Sequence, residues 1–96
     1  MRGALDALLT HLLKWQYQPD RRGRSWRATI EHRRVRLERH LGANPSLKSQ
    51  LDDAIQEAYL DARYDAAKEA DIDPDTFPAD CPFAFDQIMD EGFWPD

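Results

Sequence analysis

Eight arginines fall between positions 21 and 39: Arg21, Arg22, Arg24, Arg27, Arg33, Arg34, Arg36 and Arg39. A guanidinium presents a planar fork of donors that can grip a phosphate or carboxylate through two parallel hydrogen bonds. Trp26 stands among them, and an indole can stack on a nucleobase. Arg22, Arg24, Trp26, Arg27 and Arg34 are therefore candidate residues for binding nucleic acid or phosphate. No helix-turn-helix, RNP or zinc-finger spacing accompanies them. The plainer reading pairs these arginines with acids of the same chain and leaves the remainder solvated, and it is preferred.

A second constellation is His11, Lys14 and Trp15, on one side of a helical stretch. Exposed together, they could hold an anion or a base. Packing of Trp15, with His11 and Lys14 solvated or capped, is the simpler expectation. Asp71, Asp73 and Asp75 imitate the start of a calcium loop, but Thr76 stands where glycine is needed and Pro82 where the bidentate glutamate belongs. Cys81 and the scattered His11, His32 and His40 match no zinc spacing. Cys81 lacks an evident base or oxyanion site, and Asp52-Asp53 reads as a solvated pair. No catalytic residue, metal or cofactor is indicated, and the balance leans away from an enzyme.

The charge is divided along the chain. Residues 1–45 hold ten Lys/Arg against four Asp/Glu, and residues 46–96 hold three against fourteen, within a net charge of -5. A basic half and an acidic half can serve separate partners or neutralise each other. The mean hydropathy of -0.76, the single cysteine and the lack of a 20-residue apolar run point to a soluble, cytoplasmic chain without a membrane span. Only Arg2 precedes the interrupted apolar stretch from Ala4 to Leu13, which argues against a signal peptide.

Ninety-six residues suit one domain, 1–96. Leu5, Leu8, Leu9, Leu12 and Leu13 recur at helical spacing and predict a helix over 3–18, stopped by Pro19. Trp26, Ile30, Leu37 and Leu41 predict a second helix over 21–42, with Ser25 as a candidate N-cap, Arg33 on the apolar stripe and Gly42 just past the end. Leu47, Leu51, Ala54, Ile55, Ala58 and Ala62 predict a third over 47–70, capped by Ser46, with Asp65 and Glu69 continuing its stripe. A short fourth helix is expected with Pro82 at its first position and Ile88 and Met89 on its face, before the apolar tail Phe93-Trp94-Pro95. The fold class is all-α: a small helical bundle of three main helices, a short C-terminal helix and an apolar tail.

The short link between the second and third helices predicts an antiparallel hairpin. Its stripes would put Trp26, Ile30, Leu37, Leu47, Leu51, Ile55 and Ala58 in one core and bring Arg22 or Arg24 to Asp65, with Arg22, Arg24, Arg33 and Asp65 as structural ion-pairing residues. The leucine arc of the first helix is too wide for one neighbour. A homodimer across that helix, or a separate helical protein, is therefore expected to cover the rest; nucleic acid is a less favoured partner.

His11-Leu12-Leu13-Lys14-Trp15-Gln16-Tyr17-Gln18-Pro19, Arg24-Ser25-Trp26-Arg27-Ala28-Thr29-Ile30, Phe77-Pro78, Cys81-Pro82 and Phe93-Trp94-Pro95 together resemble the bacterial family called domain of unknown function 29. The resemblance implies an all-helical fold and no particular activity. Members usually carry a further helical stretch ahead of the segment matching Leu8 to Pro19, so the chain is N-terminally short beside them. Function is thus expected to be that of a non-enzymatic binding or adaptor module acting through a protein partner or self-association. The alternative is nucleic-acid or phosphate binding through segment 21–39. Two features discriminate: whether the arginines are paired internally, and whether a concave site collects His11, Lys14 and acids.

Overall fold

A computed structural model describes residues 2–95, without the side chain of Arg2. Its elements are α1 (Arg2–Tyr17), α2 (Arg24–Ala43), α3 (Leu51–Ala70) and the short α4 (Phe85–Met89), with 3-10 turns at Pro19–Arg21, Pro45–Gln50 and Pro74–Thr76. The described residues form an all-α bundle, as the periodicity predicts.

The arrangement of the helices differs from the predicted hairpin. α1 packs against both α2 and α3, which make little contact with each other. Asp6 lies beside Asp65 and Lys14 beside Glu69, so α1 and α3 run in the same direction. Trp26 approaches Lys14 at one end of α2, while Arg36 and His40 share a cleft with Gly3 and Ala4 at the other, so α2 runs opposite to α1. The result is a slab of 37 × 27 × 18 Å.

The leucines explain the order. Leu5, Leu8, Leu9, Leu12 and Leu13 are all 0% exposed. Their wide arc serves two neighbours, whereas the narrow stripes of α2 and α3 can each face only one. The same burial places the leucine arc inside the chain rather than on its surface. Ile30, Leu37, Leu51, Ile55 and Ala58 do share the core; Leu47 packs at its edge, and Trp26 is only half-buried and stands outside it.

Local signals moved too. Arg34, not Arg33, occupies the buried stripe of α2 with Ile30, Leu37 and Leu41. Both positions flank the stripe in projection, and packing of the tail selects Arg34. Ser25 is inside α2, where its carbonyl accepts a bond from Thr29; Gly23 precedes the helix without a side-chain cap. Gly42 is helical, and α2 ends where the Asn44 side chain donates to the His40 carbonyl at 3.0 Å. Ser46 caps nothing, because Pro45–Gln50 is a 3-10 turn and α3 starts at Leu51. A 3-10 segment rises about 2.0 Å per residue against about 1.5 Å in an α-helix. That extra reach suits a link between two helices that α1 holds apart. Pro82 lies ahead of α4, because burial of Phe83 delays the helix to Phe85. No helix of the described residues is long and apolar enough to cross a membrane.

Candidate functional site

The C-terminal tail is seated by residues that the sequence offers as ligand contacts. Arg34, 2% exposed, donates from Nε to the Ile88 carbonyl at 2.7 Å and from Nη2 to the carbonyls of Phe93 at 2.8 Å and Gln87 at 3.4 Å. It thereby supplies a donor to the Ile88 carbonyl at the end of α4 and a second one to the Gln87 carbonyl, which also accepts from the Asp90 amide. Its Nη1 is buried without a hydrogen-bond partner among the described residues. Burial lowers the Arg34 pKa, opposed by the nearby charges of Asp90, Glu91 and Glu31. Arg22 donates from Nε to the Trp15 carbonyl at 2.7 Å and from Nη2 to that of Pro95 at 3.2 Å. Trp94 packs on Trp15 with ring centroids 4.6 Å apart, and the guanidiniums of Arg27 and Arg34 lie 4.9 and 5.4 Å from its ring. Arg27 also bonds Glu31 on the exposed face of α2 at 3.3 Å. Trp15, Arg22 and Arg34 are thus committed to the fold.

The family-motif residues continue this pattern. Tyr17 meets Phe77 edge to face at 4.7 Å, and the Tyr59 hydroxyl donates to the Pro78 carbonyl at 2.6 Å. Burial pushes Tyr59 up to about 12. Burial also raises the Cys81 thiol, and its Sγ bonds the Phe83 carbonyl at 3.4 Å. A raised, half-buried thiol is a poor nucleophile at neutral pH. In the acidic loop, Asp73 accepts from the Asp75 amide and Asp75 pairs with Arg63 at 3.1 Å. Those acids hold the turn, and among the described residues no group of three or more His, Cys, Asp or Glu is placed to hold a metal.

A groove of about 410 Å³ between α1 and α3 does collect His11 with acids: Asp6, Thr10, Asp65 and Glu69 line it, beside Lys68. Lys14 is 8% exposed and pairs with Glu69 at 3.4 Å, while its ammonium lies 4.8 Å from the Trp26 ring. His11 bonds the Ala7 carbonyl through Nδ1 at 2.8 Å, so a neutral ring carries its proton there and leaves Nε2 as the acceptor. Burial lowers the His11 pKa, and the charges of Lys14 and Arg33 push the same way. The Asp6 carboxyl is raised, first by burial and then by the negative charge of Asp65. Thr10 donates to Asp6 at 3.1 Å. Asp65 is therefore the neighbour of Asp6; among the described residues no ion pair joins it to Arg22 or Arg24, because α1 intervenes. The groove brings an imidazole beside two neighbouring carboxyls, and no Ser or Cys lines it.

On the other side of α1, a cleft of about 480 Å³ is lined by Arg33, Arg36 and His40 of α2 with Gly3 and Ala4 of α1. The side chains of Arg24, Arg33, Arg36 and Arg39 make no hydrogen bond or ion pair among the described residues. Arg24, Arg36 and Arg39 are exposed and Arg33 half-buried. Arg33 therefore carries no structural ion pair. Arg36 belongs to the arginine run of the sequence and His40 to its scattered histidines; their spacing of three and seven from Arg33 places all three on one helix side.

Fold and site together define a small helical protein whose most distinctive residues anchor its own tail and whose α2 carries four arginines that are unpaired among the described residues. The chain belongs to the family described as Domain of unknown function DUF29, which it matches over residues 1–94. No curated protein and no solved structure matches it.

Proposed function

We propose that this chain is a non-enzymatic binding module of the bacterial cytosol that engages an anionic partner through the free arginines of α2. One observation carries the reading: α1 separates α2 from α3, so the arginines of α2 are not neutralised by the acids of α3. α2 bears six arginines against two glutamates, and α3 six acids against two cations. The two charged helices flank α1, and four of the arginines have no partner among the described residues to give up on binding. An arginine so placed is ready for a carboxylate or phosphate.

The test is affinity capture from lysate, with bound protein and nucleic acid both assayed, comparing the native chain with one carrying Arg24→Gln, Arg33→Gln, Arg36→Gln and Arg39→Gln. The native chain is expected to retain an acidic partner that salt releases. Equal capture by both chains overturns the reading.

A protein partner on α3 has an observation of its own. Leu60 and Tyr64, one turn apart, are 52% and 60% exposed. Leu60→Ser with Tyr64→Ser would abolish such an interaction and leave the arginine-dependent one intact.

A further inference from the structure

The cleft between the end of α2 and the start of α1 is more specific than a charged helix face, and we infer that it is a binding site for a small phosphate ester or diphosphate. This inference rests on the anion-binding reading above and narrows it to one place and one ligand class. Arg33, Arg36 and His40 project from one side of α2 into a concavity of about 480 Å³. That volume falls within the range of small-ligand pockets, roughly 300–1,000 Å³. Among the described residues the two guanidiniums make no ion pair, so binding breaks none there. Each offers the donor fork that matches two phosphate oxygens. His40 adds a third donor, and as an imidazole it can bond phosphate in either protonation state through a ring N–H.

The opposite wall is backbone of α1. Gly3 has open space where a side chain would project, so a ligand can approach the main chain closely there. No acidic residue occupies the first turn of α1. Helix amides at this level have no carbonyl partner within the helix and favour an anion as a secondary contribution to the cationic side chains.

The surroundings select a compact ligand over a polymer. Gly3 also lines the groove that holds Asp6 and Asp65. A nucleic-acid strand running along α2 and past the end of α1 would meet those carboxylates and be repelled. A single phosphate or diphosphate group stays within the basic cleft and meets no acid among its lining residues.

Titration of the whole chain with pyrophosphate, followed by NMR of backbone amides and of the His40 ring, tests the site. The expected result is saturable shifts at Gly3, Ala4, Arg33, Arg36 and His40. Arg36→Gln, at an exposed position that should leave folding intact, is expected to weaken binding about tenfold, the size of one lost charge-assisted bond. Arg33→Gln should do likewise. Arg24→Gln and Arg39→Gln, on the same helix outside the cleft, should change affinity less than about twofold. Inorganic phosphate and a sugar phosphate distinguish the free ion from the ester. Duplex DNA competing no better per phosphate than pyrophosphate supports a compact ligand. Shifts centred elsewhere, or equal weakening by all four variants, overturn the site while leaving the arginine-face reading standing. Absence of pyrophosphate binding also overturns the site; together with arginine-independent capture from lysate, it overturns both.

Discussion

Arg34 is where a surface-type residue has become a structural one. Its three bonds to main-chain carbonyls join α2 to α4 and the tail, and a lysine has neither the fork nor the reach to remake them. Arg34→Lys is expected to cost about 2–4 kcal/mol, because it strands buried carbonyls. Arg36→Gln should stay within about 0.5 kcal/mol. Urea denaturation of the two variants compares them, and equal effects would refute the clamp. Asp6 carries the opposite lesson. Its carboxyl is raised above the ordinary 3.8 by burial and by Asp65, so the fold holds that proton more tightly than the unfolded chain does. The resulting penalty is absent below the unfolded pKa and full above the raised one, so this contribution falls as pH climbs through that window. Asp6→Asn should therefore stabilise the chain at about pH 7 by on the order of a few tenths of a kcal/mol, since the site is partly solvated. The gain should vanish near pH 3, as thermal melts at the two values would register.

At the scale of elements, α1 is the organising helix because its apolar arc is the widest. Ile30 illustrates the dependence of α2 upon it: fully buried in the shared core, it should cost about 2–4 kcal/mol when cut to alanine. A loss below about 1 kcal/mol in chemical denaturation would contradict that packing. The end of α3 contains a correctable weakness. Asp71 closes it with φ of 57°, and the Ile72 amide returns to the Ala67 carbonyl at 3.0 Å. A left-handed position favours glycine, and a negative charge at a helix C-terminus is unfavourable. Asp71→Gly is expected to raise stability by about 0.5–1 kcal/mol, measurable as a higher midpoint; a lower midpoint would mean that the carboxylate has a role in the fold.

For the whole molecule, burial of the α1 leucines and separation of the charged helices act together. The described residues enclose their core without borrowing a surface, so the isolated chain is expected to sediment as a monomer at about 0.15 M salt, where surface charges are screened beyond about 8 Å. At low salt the basic side of one copy can attract the acidic side of another. A dimer that persists in high salt would instead reveal an apolar interface and direct attention to Leu60 and Tyr64.

Helical periodicity in the sequence determined the three long helices, the leucine face of the first and most of the core, because those follow from side-chain spacing along one chain segment. Pro19 and Asn44-Pro45 likewise marked real helix ends, since their backbone restrictions are local. The spacing of Arg33, Arg36 and His40 was legible too, but not that it would face a cleft. The order of the helices was decided only in three dimensions. Stripes of α2 and α3 can be matched on paper in a hairpin, yet each found α1, whose broader apolar face buries more surface against both. That choice moved Asp65 from the arginines to Asp6. Seating the tail then selected Arg34 over Arg33 for burial and turned Arg22 and Trp15 into anchors. Charge counts along the chain could not distinguish neutralisation from segregation, because the answer depends on which helix lies in the middle.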